Sequence, residues 1–431
     1  MDALAKTLGV FALILILARL KVPLALAVLI GAACVGLLFR LPAGQVCLAA
    51  GRGAIEPGTV ALAVITVCVL ALSGTMQAAG LFERIVSLAG AFFRRPAVTV
   101  AALPALIGLL PMPGGALFSA PMVESAAGER GASSAKLSAV NYWFRHVWEY
   151  WWPLYPGVLA AMELTRSDFP RFAAFQIPLG VLMAAAGLLI LRRMHPDFHA
   201  RAPRPAKETK WGLLKAAAPI LIIIVVAAPA TPAIKYLPAG LADEGIRRAA
   251  VRYGPMVLGL LAALAWTTLV NRLRGAQLRK VWTSRRIFTT AALVVCVMIF
   301  RYVLDFVDAP DKIAAELKAL HVPAVLVVTI LPFVAGMVTG LAIGFVGTSF
   351  PIVLGLVAAM PGGAPMPAYV ALAYAFGHMG QMLSPLHLCY VMSNEYFKAS
   401  FHAVYWQILP SAVLTAALAL GYFVLLRFLL A

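Results

Sequence analysis

Charge is scarce in this chain: only 12% of its 431 residues are Asp, Glu, Lys or Arg, against 62% hydrophobic ones. A soluble domain carries about twice that charged fraction. Together with a mean hydropathy of +0.92, this excludes a secreted enzyme, a disordered scaffold and a soluble nucleic-acid binder. Cysteine is also sparse. Cys34, Cys47, Cys68, Cys296 and Cys389 form no CxxC pair, so neither a disulfide framework nor a zinc finger follows. They read as small buried hydrophobes. The N-terminus has no basic n-region and no small-residue cleavage site, so residues 4–20 read as a first spanning helix rather than a signal peptide. No stretch is long and polar enough for a separate water-soluble domain.

What is present is a series of apolar runs of the length that helices crossing a bilayer require. They fall at 4–20, 22–39, 57–80, 97–124, 134–162 and 172–191, then at 212–229, 252–271, 287–305, 322–359, 367–392 and 402–427. Between the two sets lies a basic stretch, 192–211, interrupted by Pro196, Pro203 and Pro205. The expected class is an all-α polytopic membrane protein of one unit: a first repeat over 1–191, a linker over 192–211 and a second repeat over 212–431.

The fourth run of each set is broken. The first carries Pro104, then Pro111-Met112-Pro113-Gly114-Gly115, then Pro121; the second carries Pro332, Gly336, Gly340, Gly344, Gly347 and Pro351. Proline removes a ladder donor, and open backbone at membrane depth survives only inside protein or beside a wet cavity. The spacing predicts re-entrant hairpins over 97–131 and 322–359. Their expected tips are Pro113-Gly114-Gly115 and Gly347-Thr348-Ser349. Small-residue packing helices remain the alternative, because Gly336, Gly340 and Gly344 also fit GxxxG spacing.

The fifth runs read as interrupted helices, 134–162 and 367–392. At an offset of 232 they share Tyr142/Tyr374, Phe144/Phe376, His146/His378, Pro153/Pro385 and Leu154/Leu386, with Glu149 opposite the near-isostere Gln381. A weak internal repeat around broken helices marks secondary transporters. Loop charge sets orientation. The 271–286 loop has six basic and no acidic residues, whereas 306–321 has Asp308, Asp311 and Glu316 against Lys312 and Lys318. By the positive-inside rule the linker is cytoplasmic and both termini lie outside, in the cell (inner) membrane. Each half then holds five spans plus one hairpin; five is odd, so the repeats are inverted. The net charge of +18 is thus a topology signal, with anionic lipid as a secondary partner and nucleic acid excluded.

Ionisable groups inside a bilayer are costly and usually functional. Arg145, His146 and Glu149 form the densest cluster. On a continuous helix Arg145 and Glu149 share a face and can pair; otherwise Arg145 or His146 can hold an anion. His378, Gln381 and Ser384 are the second repeat's counterparts, and histidine can also carry a coupling proton. Open amides at the hairpin tips favour an anion. The expected solute site is therefore Gly114, Gly115, Ser119, Asn141, Arg145, His146, Thr348, Ser349, His378, Gln381 and Ser384. Glu149, Ser119, Ser349 and Ser384, with carbonyls freed at the breaks, are expected to hold the coupling ion, Na⁺ or H⁺. Arg301 reads as an interfacial anchor that can snorkel, and 243–252 as a surface helix.

The runs PMPGGALFSAPMVE (111–124), NYWFRHVWEYWWPLYPG (141–157), GFVGTSFP (344–351) and MLSPLHLCYVMSNEYF (382–397) resemble the DUF401 family of membrane proteins, which is grouped with the ion transporter superfamily of secondary carriers. The resemblance covers nearly the whole chain. It implies two inverted repeats, a homodimer and an elevator-type transport domain. It also implies a small organic anion as solute, ion-coupled, with no cofactor, resident metal or enzymatic activity. Where the dicarboxylate carriers have Ser-Asn-Thr motifs, this chain has Phe118-Ser119-Ala120-Pro121 and Thr348-Ser349-Phe350-Pro351. Two other classes stay in play. One is a cation/proton antiporter built on Glu149. The other is a membrane-embedded metalloenzyme using His146, Glu149, His378 and His387, although no HExxH is present.

Overall fold

The computed structural model describes residues 2–90, 96–109, 115–127, 133–192, 207–235, 243–319, 323–358, 360 and 364–430. Among these residues helix is the only regular structure, and there is no strand. The first half contains α1 (Asp2–Arg19), α2 (Leu24–Leu38), α3 (Ala43–Ile55), α4 (Pro57–Ala78), α5 (Leu81–Gly90), α6 (Pro96–Gly108), α7 (Gly115–Ala127), α8 (Ser134–Arg145), α9 (Pro156–Leu164), α10 (Phe169–Ala186) and α11 (Leu188–Arg192). The second contains α12 (Lys207–Lys235), α13 (Glu244–Val270), α14 (Gly275–Trp282), α15 (Arg285–Phe306), α16 (Ala309–Ala319), α17 (Ala324–Thr339), α18 (Ala342–Ala358), α19 (Met366–Met382), α20 (Leu388–Tyr396) and α21 (Phe401–Leu430).

Among the described residues, six helical stretches are long and apolar enough to cross a bilayer: Pro57–Ala78, Phe169–Arg192, Trp211–Ile234, Glu244–Val270, Gly275–Phe306 and Phe401–Leu430. Shorter apolar helices accompany them at Leu24–Leu38, Val98–Gly108, Ala324–Thr339 and Ala342–Ala358. The molecule is a membrane protein on this ground. Its outward face is correspondingly apolar, with Val225, Val424 and Phe428 exposed.

Local chemistry sets the boundaries. Pro57, Pro156 and Pro367 sit in the first turns of α4, α9 and α19, where a missing N–H costs nothing. The Asp168 carboxylate caps α10 by accepting from the Arg171 amide at 3.0 Å. Asp243 accepts from the Gly245 amide at 2.8 Å and starts α13, so the stretch 243–252 is the first part of a spanning helix, not a separate surface helix. Arg252 there donates to the Met162 and Ser167 carbonyls at 2.6 and 2.8 Å. Arg301 pairs with Asp305 at 3.2 Å and Glu56 at 3.7 Å. Of the expected linker, residues 193–206 lie outside the described residues, and Lys207 already belongs to α12.

Two arrangements position the site. The unbroken helices α4 and α15 pack together, with α2 and α3 on α15 and α13 on α4. From this set, α15 packs on α18 and α4 touches α9, while the paired arms α6/α7 and α17/α18 pack on the two interrupted helices, α8–α9 and α19–α20, at α8 and α19. The arms cross over: α7 packs on α20, and α18 packs on α9.

The second turnaround is not where the glycine pattern placed it. Gly340 caps α17 with φ 63°, a left-handed conformation that glycine adopts without strain. Gly340-Leu341 alone joins the arms. Gly347, Thr348 and Ser349 lie inside α18, so their amides belong to a helix rather than an open tip. The Thr348 and Ser349 hydroxyls turn back onto the Gly344 and Phe345 carbonyls at 2.8 and 2.6 Å. Gly347 serves packing, since a methyl there would meet Val297 Cγ1 at 2.6 Å.

Candidate functional site

Both interrupted helices end where proline approaches. α8 stops at Arg145 and the chain resumes helix at Pro156; α19 stops at Met382 and resumes at Leu388. Pro153 and Pro385 lie in the gaps, and proline biases the preceding residue, Trp152 or Ser384, away from helix. Interruption frees carbonyls in a buried place, where an unmet polar group is costly. Side chains of the opposite segment meet several of them. The Tyr142 hydroxyl donates to the Met382 carbonyl at 3.0 Å, and the Tyr374 hydroxyl donates to the Glu149 carbonyl at 2.8 Å. Tyr155 donates to the Gly108 carbonyl, and Ser384 donates to the Met337 carbonyl at 2.6 Å. These carbonyls, expected to be open for a cation, therefore already accept hydrogen bonds.

Because the helix ends at Arg145, Arg145 and Glu149 are not one turn apart on a helical face, and the pairing expected on that basis loses its geometry. Glu149 instead reaches across the gap. Its Oε2 accepts from Gln381 Nε2 at 2.8 Å. His146 Nε2 lies 3.8 Å from its Oε1, and His378 Nδ1 lies 4.0 Å from its Oε2. Glu149 and Gln381 are thus the pair matched across the repeat, now in direct contact.

His146 finds its closest imidazole in His387, not in its sequence counterpart His378. His146 Nδ1 lies 2.6 Å from the Tyr142 carbonyl, and only an N–H can face a carbonyl. Nε2 of the neutral ring is then an acceptor, and His387 Nε2, 3.0 Å away, donates to it. Both ring nitrogens of His378, the Gln381 Oε1 and the Tyr150 hydroxyl are buried with no hydrogen-bond partner among the described residues.

Arg145 is buried against the hairpin arm. A methyl at Gly115 would meet its Cζ at 2.5 Å, and one at Gly108 would meet its carbonyl carbon at 2.9 Å. Glycine on both sides of the first turnaround therefore admits Arg145. Gly114 lies outside the described residues.

Arg145 lines a cavity of about 180 Å³ together with Glu149, Gln381, His387, Cys389 and Arg286. Leu70 of α4 and Thr290 and Leu293 of α15 close it on the unbroken side, and Leu341–Ile343 on the hairpin side. A second cavity of about 480 Å³ shares Leu70 and Arg286 and reaches Lys280 and Gln277 of α14. Arg286 and Cys389 were not singled out by sequence. Arg286 reads there as one more loop cation, and Cys389 as one more small apolar residue.

The remaining expected residues are engaged elsewhere. Ser119 donates to Asn141 Oδ1 at 2.5 Å, and Asn141 Nδ2 donates to the Ala116 carbonyl and Ser393 Oγ, each at 3.0 Å. Ser138 extends this buried network to Asn394 at 2.6 Å. It joins α7, α8 and α20. Ser119, Ser349 and Ser384, expected to share an ion with Glu149, are each bonded to different partners: Asn141, the Phe345 carbonyl and the Met337 carbonyl.

No curated protein matches this chain. A family model does, over residues 3–227 and 252–426, and its description reads "Protein of unknown function (DUF401)". The match spans both interrupted helices and both hairpin arms, and the chain belongs to the DUF401 family.

Proposed function

We propose that this protein is a secondary transporter of a small, carboxylate-type organic anion, ion-coupled and working by elevator-type alternating access in the manner of the ion transporter superfamily. One observation carries the reading. Two arginines, Arg145 and Arg286, line a small cavity at the junction of the interrupted helices and the unbroken pair α4/α15. Arg145 is buried where α8 breaks off, and an arginine at membrane depth is expensive and marks solute pathways; Arg286 reaches the same cavity from the first turn of α15. A volume of about 180 Å³ falls below the range of pockets for drug-sized ligands, which suits a small solute.

The order of elements supports two inverted repeats. Two spans, a short connector, a span, a second short connector, a hairpin, an interrupted helix and a last span run from α1 to α11, and the same order runs from α12 to α21. The exchanged packing of α7 on α20 and α18 on α9 is what a twofold relation produces. In this reading the hairpins and interrupted helices move against α4 and α15. The basic 271–286 loop supports a cytoplasmic linker with both termini outside, and in this reading the working form is a homodimer in the cell membrane. Arg145 and Arg286 hold the carboxylate; Glu149, His146 and His378 carry the coupling proton, or Glu149 supports Na⁺.

The test is a thermal-shift screen of small carboxylates, sulfonates and oxyanions with and without Na⁺, followed by uptake into proteoliposomes. A carboxylate should stabilise the wild type, and Arg145→Ala should abolish both shift and uptake while remaining folded. Normal uptake by that variant removes Arg145 from the site, and a wild type indifferent to every carboxylate removes the substrate class. Glu149, buried between two imidazoles, gives cation/proton antiport a second reading. Dissipation of a proton gradient by Na⁺ alone, without organic solute, would favour it.

A further inference from the structure

Three metal-ligating side chains meet where the interrupted helices cross. His146 ends α8, His387 precedes α20, and Cys389 is the second residue of α20. All three are buried, and one ligand atom from each lies within 4.8 Å of the others. The geometry points to a transition-metal site: His146, His387 and Cys389 bind a divalent ion of the zinc class, with Glu149 at its edge.

Three features carry this. The first is distance. Zinc takes imidazole nitrogen at about 2.0–2.1 Å and thiolate at about 2.3 Å, so tetrahedral ligand atoms stand roughly 3.3–3.6 Å apart. The two Nε2 atoms are already 3.0 Å apart, and the sulfur needs to move by only about an ångström. The second is orientation. The Tyr142 carbonyl holds the His146 Nδ1 proton, which turns the Nε2 lone pair toward the cluster, as the outer partners of metal-bound histidines do. The third is softness. Two imidazoles and a thiolate suit zinc or copper and poorly suit Na⁺, Mg²⁺ or Ca²⁺.

Access is through the cavity, whose wall includes His387 and Cys389. On binding, the Cys389 S–H bond breaks and its proton leaves to solvent, the His387 proton passes from Nε2 to Nδ1, and the sulfur and the two Nε2 lone pairs form the metal bonds, with no change of oxidation state. The fourth coordination position falls to Glu149 or to a ligand from the cavity. The site joins the end of one interrupted helix to the start of the other. It does not depend on the transport reading, because it can be measured with no solute present.

The test uses the full chain, purified in detergent and stripped with a chelator. Titration with Co²⁺ should give a thiolate-to-cobalt charge-transfer band saturating at one ion per chain, displaced by Zn²⁺. Cys389→Ser should lose the band, and His387→Ala should weaken binding by about 100-fold or more. Cys68→Ser, which removes a different buried thiol, should leave it intact. Should either cluster variant fail to fold, X-ray absorption of the wild-type zinc form decides alone, with one sulfur and two imidazole nitrogens expected. Absence of stoichiometric binding by the wild type, a zinc shell without sulfur, or a band that survives Cys389→Ser overturns the assignment.

Discussion

Gly115→Ala separates anion binding from folding. Built on the present backbone, the new methyl lies 2.5 Å from Cζ and 2.6 Å from Nη2 of Arg145. Carbon atoms at rest keep about 3.5 Å or more, so the guanidinium must retreat by roughly an ångström. It is the far end of a long side chain, so the side chain gives way before the helix does. A hydrogen bond to a charged group contributes about 1.5–3 kcal/mol, and each 1.4 kcal/mol is about tenfold in affinity. Gly115→Ala should therefore weaken binding of the best carboxylate from the screen by about 10- to 150-fold. Its unfolding temperature without ligand should fall less than that of Gly380→Ala. Gly380→Ala provides the contrast. There the methyl runs into the Phe333 carbonyl and lies 2.8 Å from its carbon. Backbone cannot swing aside, so overpacking should cost about 1–3 kcal/mol of stability. Binding would be followed by calorimetry and stability by thermal unfolding in the same detergent. A Gly115→Ala protein with wild-type affinity, or one destabilised as much as Gly380→Ala, refutes the reasoning.

Three further outcomes are expected. Arg286→Ala should weaken carboxylate binding about tenfold or more with unchanged unfolding temperature, because Arg286 is only half-buried; calorimetry checks it. Asn141→Ala leaves Ser119 and Ser393 without their shared partner and should lower stability by about 1–2 kcal/mol, read by thermal unfolding. Glu316 accepts from the Ala3 and Leu4 amides at 2.9 Å each. Desolvation raises its carboxyl, but those amides hold it net below the usual range. Its contribution is then full above the unfolded value of about 4.3 and disappears as pH falls through the lower folded one. Glu316→Gln should unfold earlier than wild type at neutral pH, and the difference should close on acidification.

Proline was legible at the interruptions but not in the hairpins. Pro153 and Pro385 fall in the two gaps, because a missing N–H and a restricted neighbour act locally, whereas Pro104, Pro121, Pro332 and Pro351, read as breaks, lie inside α6, α7, α17 and α18. Glycine was less legible. Of four glycines in the second hairpin, only Gly340 turns the chain, while Gly344 and Gly347 make room for Thr339 and Val297. Small size serves both ends, and sequence does not separate them. The connectors α3, α5, α14 and α16 were hidden in loops by their brevity, between 8 and 13 residues. Alignment matched Glu149 with Gln381, which touch, yet matched His146 with His378 when the closer imidazole is His387. Arg286 belongs to the cavity only because α15 delivers it there, and nothing in its neighbourhood of loop cations distinguishes it.

The exchanged tyrosine bonds have a consequence for biosynthesis. The donors and acceptors stand 225 and 240 residues apart. A ribosome adding about 5–20 residues per second needs roughly ten to fifty seconds to deliver the second partner after the first. Over that interval the Glu149 carbonyl waits inside the membrane for the Tyr374 hydroxyl. The nascent first half must shelter it in water, in the insertion machinery or in a provisional fold.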